Sequence, residues 1–158
     1  KSGLKEVTPM RLSTKGRYGV KAMLDLAIYS AEGHIALKNI AERQGISEHY
    51  LEQLIAILRK AGFVKSVRGA QGGYVLAQEP SEIAIGDILR ALEGSLAPVD
   101  CVVEEEPYEC EKALCCVTRG IWKKVRDSIN QVVDSITLQD LVDDYNRLKG
   151  DHSYMYYI

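Results

Sequence analysis

Residues 38–61 read KNIAERQGISEHYLEQLIAILRKA, and this stretch decides the fold. Its apolar residues recur at helical spacing on both sides of a short break, which predicts one helix over 38–44 and a second over 48–61. Two helices that cross closely need a small residue on the first, a turn residue that tolerates positive φ, and an apolar anchor on the second. These features are supplied, in order, by Ala41, Gly45 and Leu51. The stretch therefore predicts a helix-turn-helix.

The flanking sequence predicts one helix before this stretch and a hairpin after it. Ser13 or Thr14 can cap a helix that carries apolar residues at helical spacing and ends near Gly33. Residues 63–67 and 74–77 are typical of strands, and the glycine-rich segment between them indicates a wing. Residues 85–92 predict a further short helix. The expected fold class is mostly α (α+β), with a winged helix-turn-helix domain over residues 10–94.

The second half predicts one long amphipathic helix over 120–136. Its apolar stripe consists of Ile121, Val125, Ile129, Val132, Val133 and Ile136. We expect this helix to pack against its copy in a homodimer, although a stripe fixes burial and leaves packing on its own domain open. The expected division is a leader added for expression over 1–9, a cysteine-bearing loop over 95–119, the dimerisation helix and a return helix over 120–145, and a C-terminal tail over 146–158.

Charge is segregated along the chain, whose formal net charge is only -2. Residues 10–74 hold ten Lys and Arg against five Asp and Glu, whereas residues 75–158 hold eight against sixteen. A basic half joined to an acidic half indicates that the first half contacts a polyanion. No apolar run approaches the roughly 18 residues that cross a bilayer, so a cytoplasmic protein with no membrane partner is expected. No phosphate loop or nucleophile-and-base pattern indicates an enzyme.

A basic helix-turn-helix with a wing predicts binding to double-stranded DNA. The start of the second helix offers hydrogen-bonding side chains for base edges: Ser47, Glu48, His49, Tyr50, Glu52 and Gln53. Cations suited to phosphate contacts surround it: Arg11, Lys15, Arg17, Lys38, Arg59, Lys60, Lys65 and Arg68. Gln71 lies beside Arg68 in the predicted wing. Two alternatives stay open, a protein-binding helix-turn-helix and cations that are only solvated charges.

All four cysteines, Cys101, Cys110, Cys115 and Cys116, lie in the acidic loop of the second half. In a cytosolic chain such crowding favours metal or redox chemistry over structural disulfides. The loop lacks the paired Cys-x-x-Cys signature of many zinc sites. Two possibilities therefore remain open at this point: a metal site, with zinc among the possible metals, and redox-active thiols without a metal.

Three segments carry a resemblance to a known family. They are Met10-Arg11-Leu12-Ser13-Thr14-Lys15-Gly16-Arg17-Tyr18-Gly19, then Ser47-Glu48-His49-Tyr50-Leu51-Glu52-Gln53-Leu54, then Arg68-Gly69-Ala70-Gln71-Gly72-Gly73-Tyr74. The combination resembles the Rrf2 family of bacterial transcription regulators over about residues 10–142. The resemblance implies a dimeric winged helix-turn-helix protein that dimerises through the helix expected at 120–136.

The same resemblance implies an iron-sulfur cluster, of the 2Fe-2S or 4Fe-4S type. Cys110 and Cys116 resemble the second and third cluster ligands of the family's cluster assembly repressors, and Cys101 resembles the first. Two departures are visible, since eight residues instead of five separate Cys101 from Cys110, and Arg119 replaces the family's histidine ligand. The fourth ligand is expected to be Cys115, an acidic residue such as Glu109, or a group from the partner subunit.

The chain ends on an aromatic segment that includes Tyr156, Tyr157 and Ile158. It resembles the ending of the family's cysteine metabolism repressor, which implies docking of the terminal carboxylate and isoleucine into cysteine synthase. Alternatively, these rings cover apolar surface on their own domain. The expected function is a repressor whose operator binding responds to an iron-sulfur cluster. The alternative is a cysteine metabolism regulator controlled by cysteine synthase binding to the tail or by thiol oxidation.

Overall fold

The computed structural model describes residues 12–104 and 110–155. The helices are α1 (Thr14–Ile28), α2 (Leu37–Gln44), α3 (Glu48–Lys60), α4 (Ile85–Glu93), α5 (Val117–Asp134) and α6 (Leu138–Met155). The strands are β1 (Val64–Val67) and β2 (Gly73–Leu76), and short 3-10 turns occupy Ser30–Glu32, Pro80–Glu82 and Asp100–Val102. The mostly helical fold class with a small sheet is therefore confirmed.

Helix α1 begins where the sequence predicts, because the Ser13 hydroxyl accepts a hydrogen bond from the Lys15 backbone N–H at 3.2 Å. It ends earlier than predicted, at Ile28 instead of near Gly33. A 3-10 turn fills the interval, and Gly33 adopts a left-handed φ of 89°. The last apolar residue at helical spacing, Ile28, coincides with the observed helix end, whereas Gly33 ends the 3-10 turn that follows and not the helix.

The helix-turn-helix has the predicted turn. Gly45 adopts φ 64° and ψ 37°, and its N–H bonds to the carbonyls of Ala41 and Glu42. Ser47 then caps α3 by accepting a hydrogen bond from the Tyr50 N–H at 3.1 Å. The buried face of this pair is formed by Ile40, Ala41, Leu51, Leu54, Ile55 and Leu58.

The wing is the antiparallel pair β1 and β2, with Val64 opposite Leu76 and Val67 opposite Gly73. Ile35 pairs with Tyr74 on the other edge of β2 through two backbone hydrogen bonds of 2.9 and 2.8 Å. This approach requires a glycine next to Tyr74, because a Cβ on Gly73 would lie 2.6 Å from the Ile35 carbonyl carbon. The wing is thereby tied to the segment that enters α2. Both strands differ by one residue at their ends from the predicted ranges.

One core joins α1–α4, and the turn between α5 and α6 is bonded to it through the backbone. Leu138 is fully buried in this core, and its N–H bonds to the Ile83 carbonyl at 2.8 Å. The Ile85 N–H bonds to the Ile136 carbonyl at 2.9 Å. The connection between α5 and α6 is therefore fixed to the start of α4.

Helix α5 differs in its bounds from the predicted helix, since it starts at Val117 instead of Gly120 and ends at Asp134 instead of Ile136. None of its residues is fully buried. Val133 packs against the core, whereas Ile121 and Val132 keep 53% and 58% of their surface exposed. Helix α6 continues through 146–155, so most of the expected tail is helical in this structure. None of the described helices is long and apolar enough to cross a membrane.

Candidate DNA interface and cysteine-bearing loop

The first turns of α3 present the side chains that the sequence assigned to base contacts. Ser47, Glu48, His49, Glu52 and Gln53 are all exposed. The Ser47 hydroxyl serves as the helix cap, and the Gln53 side-chain amide lies 3.2 Å from the His49 Nε2 atom. This surface carries both donors and acceptors, which is what recognition of base edges in a major groove requires.

Tyr50 differs from its neighbours because its side chain contacts α1. It is half-buried, its hydroxyl donates to the Thr14 hydroxyl at 3.2 Å, and its ring meets the Tyr18 ring edge-on with centroids 6.2 Å apart. These contacts join the start of α3 to the start of α1. Tyr50 therefore helps to hold the start of α3 against α1, a contact that the sequence pattern did not indicate.

The cations expected to contact phosphate lie at the surface in every case that the structure describes. They are Lys15, Arg17, Lys38, Arg59, Lys60, Lys65 and Arg68. Lys38 lies 3.9 Å from Glu42 in an exposed pair, which holds it only weakly. Arg11 lies outside the described residues.

The tip of the wing is anchored from outside the hairpin. Arg68 and Gln71 are exposed there, and the His34 Nε2 atom donates to the backbone carbonyl of Gln71. The Gly72 N–H closes the turn on the Gly69 carbonyl at 3.0 Å. His34 thus limits where the wing can present Arg68 and Gln71, and no sequence signal had singled it out.

A buried carboxylate fixes α2 against α1. Asp25 is 2% exposed and accepts hydrogen bonds from Arg43 Nε at 2.9 Å, Arg43 Nη2 at 2.7 Å and Gln44 Nε2 at 3.0 Å. The Arg43 guanidinium also lies 4.1 Å from the Tyr29 ring centroid, a cation–π geometry. Its hydrogen bond to Asp25 raises the pKa of Arg43, which strengthens the charge-assisted character of this contact. In the sequence, the signal for this pair is Asp25 itself, a lone acidic residue at an apolar position of α1.

Tyr29 itself is held between two elements. Burial raises the pKa of the Tyr29 hydroxyl, and Tyr145 raises it further through charge and a hydrogen bond. The contact links α1 to α6. Tyr29 is therefore neutral and acts as a packing and hydrogen-bonding group.

The cysteine-bearing loop begins after α4 and ends at α5. Cys101 is half-buried in the Asp100–Val102 turn, and Cys110, Cys115 and Cys116 are exposed; all four are free thiols. Thiolates are the soft donors that iron-sulfur clusters take, so the donor types fit such a group. Across residues 12–104 and 110–155, however, no three His, Cys, Asp or Glu side chains are grouped where they could hold a metal ion. Glu109 lies outside the described residues.

Cys116 occupies a distinctive position, the N-cap of α5. Its Sγ atom lies 3.3 Å from the Thr118 hydroxyl. That hydrogen bond, followed by the backbone N–H of Arg119, lowers the pKa of the Cys116 thiol. The thiolate form that binds metals or reacts with oxidants is therefore favoured here. Tyr156, Tyr157 and Ile158 lie outside the described residues, just beyond the end of α6.

Comparison with known proteins agrees with this architecture. The family model described as Rrf2, "Iron-dependent Transcriptional regulator", matches residues 12–144. The transcriptional regulator CymR of Bacillus subtilis is 47% identical over 150 residues, which cover 94% of this chain and 100% of CymR. The regulator IscR of Serratia proteamaculans is 45% identical over 139 residues, covering 88% of this chain and 83% of IscR.

A solved structure described as T. potens IscR superposes with a TM-score of 0.73 at 54% identity, covering 93% of this chain and 96% of that one. The relatives are named as transcriptional regulators and not as enzymes. The resemblance inferred from the three sequence segments is thereby confirmed. The chain belongs to the Rrf2 family and is a transcriptional regulator of the IscR or CymR type.

Proposed function

We propose that the chain is a repressor that reads operator DNA with the start of α3 and contacts phosphates with its basic side chains. The observation that carries this proposal is the exposed polar surface of His49, Glu52 and Gln53 on a helix start fixed by Ser47 and Tyr50. A recognition helix that is held rigidly places its side chains in one register along a groove. Arg68 and Gln71 in the wing are proposed to contact the backbone or the adjacent minor groove.

Selection of bound duplexes from a random pool tests this assignment. The wild-type chain is expected to enrich one motif, and Gln53→Ala is expected to relax preference at a subset of its positions, because base contacts specify the sequence. Arg147→Ala is the matched control, since Arg147 lies on α6 and pairs with Asp144 in the same helix. An identical motif from wild type and Gln53→Ala would remove Gln53 from the reading surface.

We also propose a homodimer that forms through α5. Apolar side chains on and just before this helix are exposed in the single chain: Leu114, Val117, Ile121, Trp122 and Val132. Ile121→Asp is expected to yield a monomer in sedimentation velocity. Lys123→Asp is the control, because Lys123 is exposed and lies about 200° round the helix from Ile121. A dimer that survives Ile121→Asp and Val132→Asp together would exclude this face.

The proposed signal is an iron-sulfur cluster held by Cys101, Cys110 and Cys116, with Cys115 or Glu109 as the fourth ligand. The support is the thiol donor set and the iron-dependent description of the family. When bound, such a cluster supplies a centre that responds to iron supply and to oxidants. The role proposed for the protein is to present Cys116 as a thiolate at the start of α5 and to surround the cluster with the loop.

Protein purified without oxygen tests this signal. It is expected to be coloured and to contain iron and acid-labile sulfide, whereas Cys116→Ser is expected to lose both. Zinc in place of iron would favour a zinc site. A colourless protein whose DNA binding changes only on thiol oxidation would favour redox-active thiols without a metal. DNA binding that is identical in wild type and Cys116→Ser under every redox condition would exclude sensing at this loop.

A second candidate function is supported by a relative whose whole length this chain covers. CymR of Bacillus subtilis aligns over its entire length, and the resemblance of the endings suggests a tail that binds cysteine synthase. The proposed contacts are Tyr156, Tyr157 and Ile158 with the terminal carboxylate. A pull-down with purified cysteine synthase, with and without Tyr157 and Ile158, tests it. Equal capture by both forms would exclude the tail.

A further inference from the structure

Two arginines of α5 reach back to the turn that carries Cys101. Arg119 and Arg126 are seven residues apart, which is about two helical turns, so they project from the same side of α5. Arg119 Nε donates to the Cys101 carbonyl at 3.1 Å, and Arg126 Nη1 donates to the Val102 carbonyl at 2.9 Å. Consecutive carbonyls of one short turn are therefore held by one helix.

The contacts around this turn favour a defined attachment over a pair of solvated cations. Val102 is 1% exposed, and the Arg126 side chain is 17% exposed. Arg126 also lies 3.5 Å from Glu104 and pairs with Asp127, so charges on both sides fix its guanidinium. Hydrogen bonds from a charged donor to a carbonyl are stronger than neutral ones, and their release would leave partly buried carbonyls unpaired.

Arg119 connects the Cys101 turn to a second cysteine. Its side chain holds the Cys101 carbonyl, while its backbone N–H donates to the Cys116 carbonyl at 3.3 Å at the start of α5. The described positions of two proposed sensing cysteines are thus tied to the first turn of the same helix. A displacement of Cys101 must either break these bonds or move α5.

We propose that Arg119 and Arg126 are positioning residues that couple the chemical state of Cys101 to the orientation of α5. This inference rests on the proposed function, in which the loop cysteines sense and α5 joins the two subunits. Arg119 then connects the Cys101 turn to α5.

The attachment is tested first without DNA. The full chain, reduced and freed of metal with a chelator, is treated with N-ethylmaleimide, and labelling of each cysteine is followed by peptide mass spectrometry. In Arg119→Leu and in Arg126→Leu, Cys101 is expected to react at least about threefold faster, because local opening of the turn becomes easier. Cys110 and Cys115 serve as internal references, since both are exposed.

Two further variants make this result decisive. Arg147→Leu, which removes an arginine from α6, is expected to leave the Cys101 rate unchanged, and Arg126→Lys is expected to restore part of the protection because it keeps one charged donor. Circular dichroism verifies that each variant is folded. Equal Cys101 rates in wild type, Arg119→Leu and Arg126→Leu would overturn the attachment, whatever the DNA binding does.

The coupling is tested in a chain that keeps Cys101 as its only thiol, with Cys110, Cys115 and Cys116 changed to Ser. Labelling Cys101 is expected to change the Kd for the selected duplex at least about fivefold, within the usual range of allosteric couplings. With Arg119→Leu added, the change is expected to fall below about twofold. An equal change in both backgrounds would overturn the coupling. Absence of DNA binding in every form would instead overturn the proposed function, and the labelling rates would still decide the attachment.

Discussion

Glu93 caps the start of α1 from the far end of α4, through its contacts with Ser13. Its Oε1 atom accepts hydrogen bonds from the Ser13 N–H at 3.0 Å and from the Ser13 hydroxyl at 2.5 Å. The Gly16 N–H donates to the same oxygen at 2.9 Å. One carboxylate thus joins the helix start that carries Lys15 to the point where the cysteine-bearing loop begins.

Removing this carboxylate is expected to destabilise the fold. Glu93→Ala should lower the free energy of unfolding by about 1–2 kcal/mol, because three donors at a helix start lose their acceptor. Urea denaturation measures the change. Glu79→Ala is the matched control, since Glu79 is exposed and its side chain makes no cap hydrogen bond. Equal midpoints for the two variants would show that the cap contributes nothing.

The contact of the buried Asp25 with Arg43 is expected to be the most sensitive polar contact of the DNA-binding half. Arg43→Ala should cost about 3–5 kcal/mol, because it leaves the buried Asp25 carboxylate without its charged partner. Asp25→Ala should cost less, because the Arg43 side chain is 32% exposed and remains hydrated, and the double variant should cost clearly less than the sum of the two. Additive losses in chemical denaturation would mean that the two side chains act independently.

Much of the fold could be predicted from the sequence because its signals are local. The turn at Gly45, the Ser47 cap and the strands around the wing each depend on residues close together in the chain. Element ends were less predictable. Helix α5 starts three residues before the predicted position, and Cys116 at its N-cap makes no side-chain cap hydrogen bond, so no usual capping residue marks this start in the sequence.

The parts of the site that the sequence did not reveal are contacts between distant residues. Glu93 reaches Ser13 across 80 positions, and Arg126 reaches Val102 across 24. Tyr50 is predicted to contact bases from its place on α3, and its hydroxyl also bonds to Thr14, a contact that its helical position does not indicate. Helical position alone does not fix which polar side chains remain free, since that depends on how α1 crosses α3.

Substitutions in the wing and in α3 are expected to affect the salt dependence of DNA binding differently. Arg68→Ala should reduce the slope of log K against log salt by about 1, because one phosphate contact is lost. Gln53→Ala should leave the slope unchanged and reduce discrimination between operator and shuffled duplex. Fluorescence anisotropy at several salt concentrations measures both. A slope that is unaltered by Arg68→Ala would place this side chain away from the DNA.

Stability above pH 10 is expected to depend on Tyr29. Its pKa is raised in the folded chain, so its contribution to stability is complete below about pH 10, the value in the unfolded chain, and is lost as the pH rises through the folded value. The free energy of unfolding of Tyr29→Phe should decline less steeply with pH over that range. Parallel declines of wild type and Tyr29→Phe in denaturation at pH 9–12 would contradict this role.

Binding of the full chain to the duplex upstream of its own gene is the most direct test of the DNA-binding function. Anisotropy titrations are carried out at about 50 mM salt and without oxygen. They compare this duplex with a shuffled one, and each duplex is titrated both with metal-free protein and with protein that has been loaded with iron and sulfide. We predict saturable binding at least about 1000-fold tighter than to the shuffled duplex, with a Kd that differs between the two protein forms. Failure of both forms to bind either duplex at this low salt would contradict a DNA-reading role for α3 and the wing.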